Sequence, residues 1–255
     1  TGAIGKWHLG AAPRFRPEAR GFGEHYGFLG GGHLYLPQTN KATGAVANWQ
    51  IEYQAPLLKN GVEQPFDGYM TDLLSREAAA FVERHKAEPF FLYLAYNAVH
   101  TPLQAPESYQ ARVSHIADPR RRIYAAMNVA MDDGVGLVLD ALRRNKLEEN
   151  TLVWFFSDNG GTPTNVAPCC NAPLRGHKGS LYEGGVRVPF ALRWPAAVKP
   201  GTVFDAPVSS LDVFATALAV AEVQPAPGKT PDGLSLLPLL KGDTAAFDNR
   251  VLHWR

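Results

Sequence analysis

Two short apolar runs and two longer amphipathic stretches set the frame of this chain. Thr151 to Phe156, TLVWFF, is an unbroken series of β-branched, aromatic and apolar residues. Such a run predicts a strand buried on both faces. Phe90 to Ala95, FFLYLA, has the same character and predicts a second buried strand. Between them, Asp118-Pro119 marks a helix start, with proline in the first turn. Apolar positions then recur at helical spacing from Ile123 through Ala126, Met127 and Ala130 to Leu142, and the helix runs to about residue 147. Strand, helix and strand in that order predict a βαβ unit and a parallel sheet.

The same periodicity places a helix over residues 69–87. Leu74, Ala78, Phe81 and Val82 lie on one stripe, and Thr71 is the expected N-cap. A further helix over 209–222 carries Leu211, Phe214, Leu218 and Ala221 on one side, and a short apolar segment follows at 234–240. Residues 1–10, TGAIGKWHLG, read as a strand entering a loop. Residues 11–67, rich in Gly, Pro and aromatics, read as long loops with short strands of the kind that often carry function. The fold class is therefore α/β, a mostly parallel central sheet flanked by helices, in one domain over 1–255.

Composition narrows the picture by exclusion. Hydrophobic residues make up 45% of the 255, and charged residues 19%, as in an ordinary globular protein. A net charge of +1 gives no general attraction to nucleic acid or to a membrane surface. No apolar run has the length of a membrane span, and no signal peptide opens the chain. The only two cysteines, Cys169 and Cys170, are adjacent, so there is neither a disulfide framework nor a zinc pattern.

The candidate chemistry stands where strands end. Asp158 and Asn159 follow the 151–156 strand and precede two glycines. They fit an Asx turn, and equally half of a hard-cation site. Lys6 and His8, two apart on an extended segment, share a face. An ammonium beside an imidazole suits an anionic substrate and proton transfer, and a plain polar strand end is the alternative. His100 lies just past the 90–95 strand, and Lys178 sits between flexible residues in a loop. Asp132 and Asp133 adjoin on the long helix, but neighbours there diverge by about 100°. They are expected to make surface contacts rather than to hold one ion.

Four motifs in order, GKWHLG at 5–10, NAVHTP at 97–102, SDNGG at 157–161 and LRGHKGSLYEGGVRVPF at 174–190, resemble the signatures of the type I, formylglycine-dependent sulfatase family of the alkaline-phosphatase superfamily. The resemblance spans essentially the whole chain. It implies hydrolysis of a sulfate monoester, an aryl sulfate or a sulfated sugar, with calcium at the site. By position, Asp158 and Asn159 resemble two of the calcium ligands, and Lys6 and Lys178 the lysines that hold sulfate oxygens. His8 resembles the histidine beside the formylglycine, and His100 the acid that protonates the leaving alcohol.

No Cys/Ser-x-Pro/Ala-x-Arg motif, from which formylglycine is made, occurs in the sequence. The resemblance places that motif and an acidic pair of calcium ligands before Thr1, and a small C-terminal domain after Arg255. The chain is accordingly expected to be the central and C-terminal part of a sulfatase catalytic domain, with the upstream segment as a partner and an incomplete calcium site. A phosphodiesterase or phosphonate hydrolase of the same superfamily, or a non-catalytic binder of sulfated ligands, are the competing readings. The Asp-Asn pair favours a sulfatase over the former. Family members are often exported or lysosomal.

Overall fold

The computed structural model describes residues 1–37, 53–162 and 170–254. Cys169 lies outside them, as does residues 38–52 of the long loop; Cys170 is an exposed free thiol. Contacts divide the chain into two units, Thr1–Leu147 with Asn159–Val186, and Glu148–Asp158 with Arg187–Arg255.

The first unit is built on a five-stranded sheet. Its strands are β1 (Gly2–Lys6), β2 (Glu24–Phe28), β3 (Leu57–Lys59), β4 (Val62–Gln64) and β5 (Leu92–Ala95), in the order β4-β3-β2-β1-β5. β1 runs parallel to both β2 and β5, while the β3–β4 hairpin adds antiparallel strands at the far side. Gly5 lets the central strands lie close. Its φ is 109°, and a Cβ there would sit 2.0 Å from the carbonyl oxygen of Ala95.

Helices α1 (Met70–Arg84), α2 (Glu107–Arg112) and α3 (Pro119–Arg144) accompany this sheet. The stripe expected on α1 is the buried one: Leu74, Ala78, Phe81 and Val82 are all inside. Thr71 is not the N-cap; Tyr69 takes that place, and Thr71 is buried one residue into the helix. α3 begins where Asp118-Pro119 indicated, with Asp118 Oδ1 accepting the Arg121 N–H at 2.7 Å. The core gathers Ile4, Phe28, Phe81, Met127 and Ala130 between sheet and helices. Asp132 and Asp133 are exposed, and Asp133 accepts a two-pronged bond from Arg112.

β5 is less buried than its sequence suggested. Leu92 and Leu94 pack on the core, whereas Tyr93 faces the other way and is 41% exposed. As an outer strand it is covered on the helical face, so its apolar run alternates in environment.

The second unit contains β6 (Val153–Phe156) and β7 (Phe190–Arg193), an antiparallel pair that forms its own sheet. The βαβ pairing expected of β6 with β5 is thus not what forms; the hydrogen bonds of β6 go to β7. Nor is β6 buried on both faces. Trp154 and Phe156 meet Phe190 on one side, joining Leu236, Leu239 and Phe247, while Phe155 is 46% exposed.

α5 (Leu211–Val220) turns opposite to the expected way, and α6 (Leu237–Leu240) follows it. Leu211 and Phe214 are exposed, and Asp212, Ala215 and Thr216 are buried. Polar bonding outweighs the apolar stripe here. The Asp212 carboxylate accepts both arms of Arg250, at 2.6 and 2.7 Å, and the N–H groups of Ser209 and Leu234. Thr216 Oγ1 accepts the Leu236 N–H at 2.9 Å. Burial alone would raise the Asp212 pKa, but Arg250 and the two backbone donors hold it below the ordinary value.

A carboxyl held low in the folded state contributes stability that is full above its unfolded pKa, about 3.9, and disappears as pH falls further. Asp212→Ala leaves Arg250 buried without its partner and is expected to cost about 3–5 kcal/mol. Hydrogen exchange at the Leu234 and Leu236 amides checks both expectations. Protection relative to the intrinsic exchange rate should fall below about pH 4 in the parent chain, and be lower at every pH in the variant.

Candidate active site

Parallel pairing brings three loops to one edge of the sheet. β1, β2 and β5 leave that edge at Lys6, Phe28 and Ala95. In open α/β sheets ligands bind beyond the carboxyl ends of the strands. Lys6 is the last residue of β1, and half-buried. His8 lies beyond the strand with φ 54°, so simple alternation with Lys6 stops there; the His8 N–H donates to Leu29 O at 3.2 Å. Its exposed ring lies against the Gly30-Gly31-Gly32 turn that follows β2. A Cβ on Gly31 would sit 2.7 Å from His8 Nε2.

On the other side of the same turn stands Tyr53. A Cβ on Gly32 would be 1.6 Å from its ring, so only glycine fits. The Tyr53 ring centroid is 6.3 Å from that of His100. His8 thus meets the glycine turn at Gly31 and Tyr53 meets it at Gly32, and the Tyr53 ring neighbours that of His100. His100 is half-buried, and its Nδ1 lies 2.8 Å from Thr101 O. A carbonyl needs a donor, so Nδ1 carries a proton.

A second group forms around Lys178. Its backbone N–H donates to Gly161 O at 3.2 Å. Asn171 bridges the same loops: its Oδ1 accepts the Gly161 N–H at 2.8 Å, and its Nδ2 donates to Gly161 O and Gly176 O. Gly160 N–H donates to Gly185 O, in the short helix α4 (Glu183–Val186). The SDNGG and HKG stretches are thus laced together, and Lys178 is exposed beside Gly161.

Asp158 is exposed just past β6, and Asn159 is half-buried, with its amide nitrogen donating to Gly160 O at 3.1 Å. A carboxylate and an amide oxygen are the hard donors calcium takes. They fit such an ion in kind, though two are fewer than its roughly six to eight oxygens. Among the described residues no group of three or more His, Cys, Asp or Glu side chains could hold a metal.

Several residues at this edge had no signal in the sequence. Tyr53 and Gln104 sit in segments without periodicity. His33 is buried, with Nδ1 2.7 Å from Leu34 O and Nε2 2.9 Å from Ala55 O. Burial lowers its pKa, opposed by those two carbonyls.

The family model described as Sulfatase matches residues 1–223. The chain belongs to the sulfatase family. Like other sulfatases, it has the α/β fold of the alkaline-phosphatase superfamily, with helices flanking a central sheet. It is 31% identical to the uncharacterized sulfatase YdeN of Escherichia coli (strain K12), over 100% of this chain and 47% of that protein. Identity to the N-acetylgalactosamine-6-sulfatase of Homo sapiens is 32%, over 99% of this chain and 48% of that protein. A solved structure, Ps i-CgsB in complex with k-i-k-neocarrahexaose, superposes with a TM-score of 0.87 at 43% identity. It covers 95% of this chain and 55% of its own. The chain therefore spans about half the length of the sulfatases it matches.

The glycine turn gives this sulfatase edge a direct test. Gly32→Ala drives a methyl into the Tyr53 ring, and the contact between the Tyr53 and His100 rings should be lost. Gly136→Ala, in open space on α3, should be neutral or stabilise by up to about 1 kcal/mol. Proton–proton contacts between the Tyr53 and His100 rings by NMR, with the melting temperature of each variant, check the pair.

Proposed function

We propose that the chain forms the sulfate-binding and leaving-group part of a sulfatase catalytic domain, acting on a sulfate ester of a carbohydrate. The observation that carries this is that Lys6 ends β1 while His8 and His100 stand on the loops that leave β1 and its parallel neighbour β5 at one edge. The carbohydrate preference draws on the sugar sulfatase and the oligosaccharide complex among its relatives. Aryl sulfates serve as simpler substrates of the same chemistry.

In sulfate ester hydrolysis, water cleaves the ester to give an alcohol and hydrogensulfate. Negative charge grows on the departing oxygen, while the sulfuryl oxygens already carry charge. Lys6 and Lys178 bind the non-bridging oxygens through charge-assisted hydrogen bonds. His100, doubly protonated and with its Nδ1–H anchored on Thr101 O, delivers the Nε2 proton to the departing oxygen and is left as the neutral Nδ1–H imidazole. His8 takes up a proton on the opposite side of the sulfur. Asp158 and Asn159 would each offer one oxygen to a calcium ion. Calcium and a formylglycine, when bound and formed in the full protein, supply positive charge for the sulfuryl oxygens and the nucleophile.

No motif for formylglycine is present in these 255 residues. The chain alone is therefore expected to bind an aryl sulfate without turning it over. Lys6→Ala and Lys178→Ala should each weaken that binding about tenfold, the worth of one charge-assisted hydrogen bond. Lys59→Ala, whose ammonium pairs with Glu77 at 3.0 Å, should leave it unchanged. Titration calorimetry and a colorimetric assay with an aryl sulfate read these outcomes. Equal affinity in all four proteins, or clear turnover by the chain, contradicts the assignment.

A further inference from the structure

Tyr35 joins the loop after β2 to the loop that carries His100, and every polar atom it owns is used in doing so. Its side chain is fully buried. The hydroxyl lies 2.5 Å from Asn97 O and 2.9 Å from His100 O. Those carbonyls stand at the two ends of a turn closed by the His100 N–H on Asn97 O, at 2.8 Å. The Tyr35 N–H donates to Gln104 Oε1 at 2.8 Å, on the far side of His100. Its carbonyl accepts the Met70 N–H, also at 2.8 Å, which anchors the residue to the start of α1.

We propose that Tyr35 is a positioning residue for His100: its hydroxyl, held between Asn97 O and His100 O, sets the turn from which the His100 ring reaches the leaving group. This rests on the reading of His100 as the acid. Residues 97–102 lie between β5 and α2, outside any regular element, so no ladder of backbone bonds fixes them. A phenol rooted in the core supplies what a ladder would. Deep burial also drives the Tyr35 pKa well up, so the hydroxyl stays a proton donor at every working pH. The two carbonyls would otherwise be left partly unsatisfied in a protein interior, which is costly.

The test is Tyr35→Phe, which keeps the ring in the core and removes only the hydroxyl. NMR of histidine-labelled chain reads the ring nitrogens, and amide exchange reads the loop. The His100 ring is expected to lose its single Nδ1–H tautomer. The His100 amide should exchange about tenfold faster relative to that of Leu74, while the His85 and His115 rings are unmoved. A general loosening would move Leu74 and His100 together, and that outcome overturns the proposal, as does an unchanged His100.

If the variant does not fold, the parent chain still decides. An exchange-protected Tyr35 hydroxyl proton in contact with His100 supports the proposal, and its absence overturns it. Adding an aryl sulfate separates the two readings. No movement of His100 on addition would contradict its role as the acid, yet the effect of Tyr35 on His100 would stand on its own.

Discussion

Parallel hydrogen bonding of β1 to both β2 and β5 is the constraint from which the rest of the first unit follows. Parallel neighbours end on the same side, so the loops after Lys6, Phe28 and Ala95 emerge at one edge whatever their sequences. The close approach at Gly5 allows the strands to pair, because a side chain there would meet the Ala95 carbonyl. α1 and α3 then seal the face that bears Ile4 and Leu94. The chemistry is left to the loops, and loops need other anchors. Glycines at 31 and 32 admit His8 and Tyr53 to one turn, and Tyr35 ties the His100 turn to the core.

Much of this was legible in the sequence, and for identifiable reasons. α1 and α3 could be placed because their apolar stripes at helical period coincide with the buried face. Lys6 could be placed at the end of one strand, and His8 and His100 just past strands, because β1 and β5 form close to where their apolar runs lie. α5 misled because its apolar stripe is the exposed side. A buried Asp212–Arg250 pair decides its orientation, and Arg250 is 38 residues away, beyond the reach of any periodicity. β6 misled for a related reason: an apolar run shows that a strand forms, but not which neighbour receives its hydrogen bonds. Tyr35, Tyr53 and Gln104 were invisible because an aperiodic loop gives no rule linking residue 35 to residues 97–104.

The second unit follows a different logic. Its two strands offer one apolar face, where Trp154 and Phe190 pack on Leu236, Leu239 and Phe247 and Phe156 stacks on Phe190. Asp212 accepts from Ser209, Leu234 and Arg250, and so draws three separated segments around one carboxylate. Removing one partner of such a group is far more damaging than its net worth suggests, since the other charge stays buried.

The proposed function requires Lys6, Lys178 and His100 to meet one sulfate ester. A crystal structure of the chain grown with an aryl sulfate and calcium tests it most directly. The sulfuryl group is expected within hydrogen-bond reach of the Lys6 and Lys178 ammonium groups, with the ester oxygen facing His100 Nε2. A sulfuryl group bound away from these residues, or Lys6 and Lys178 too far apart to share one, would contradict it.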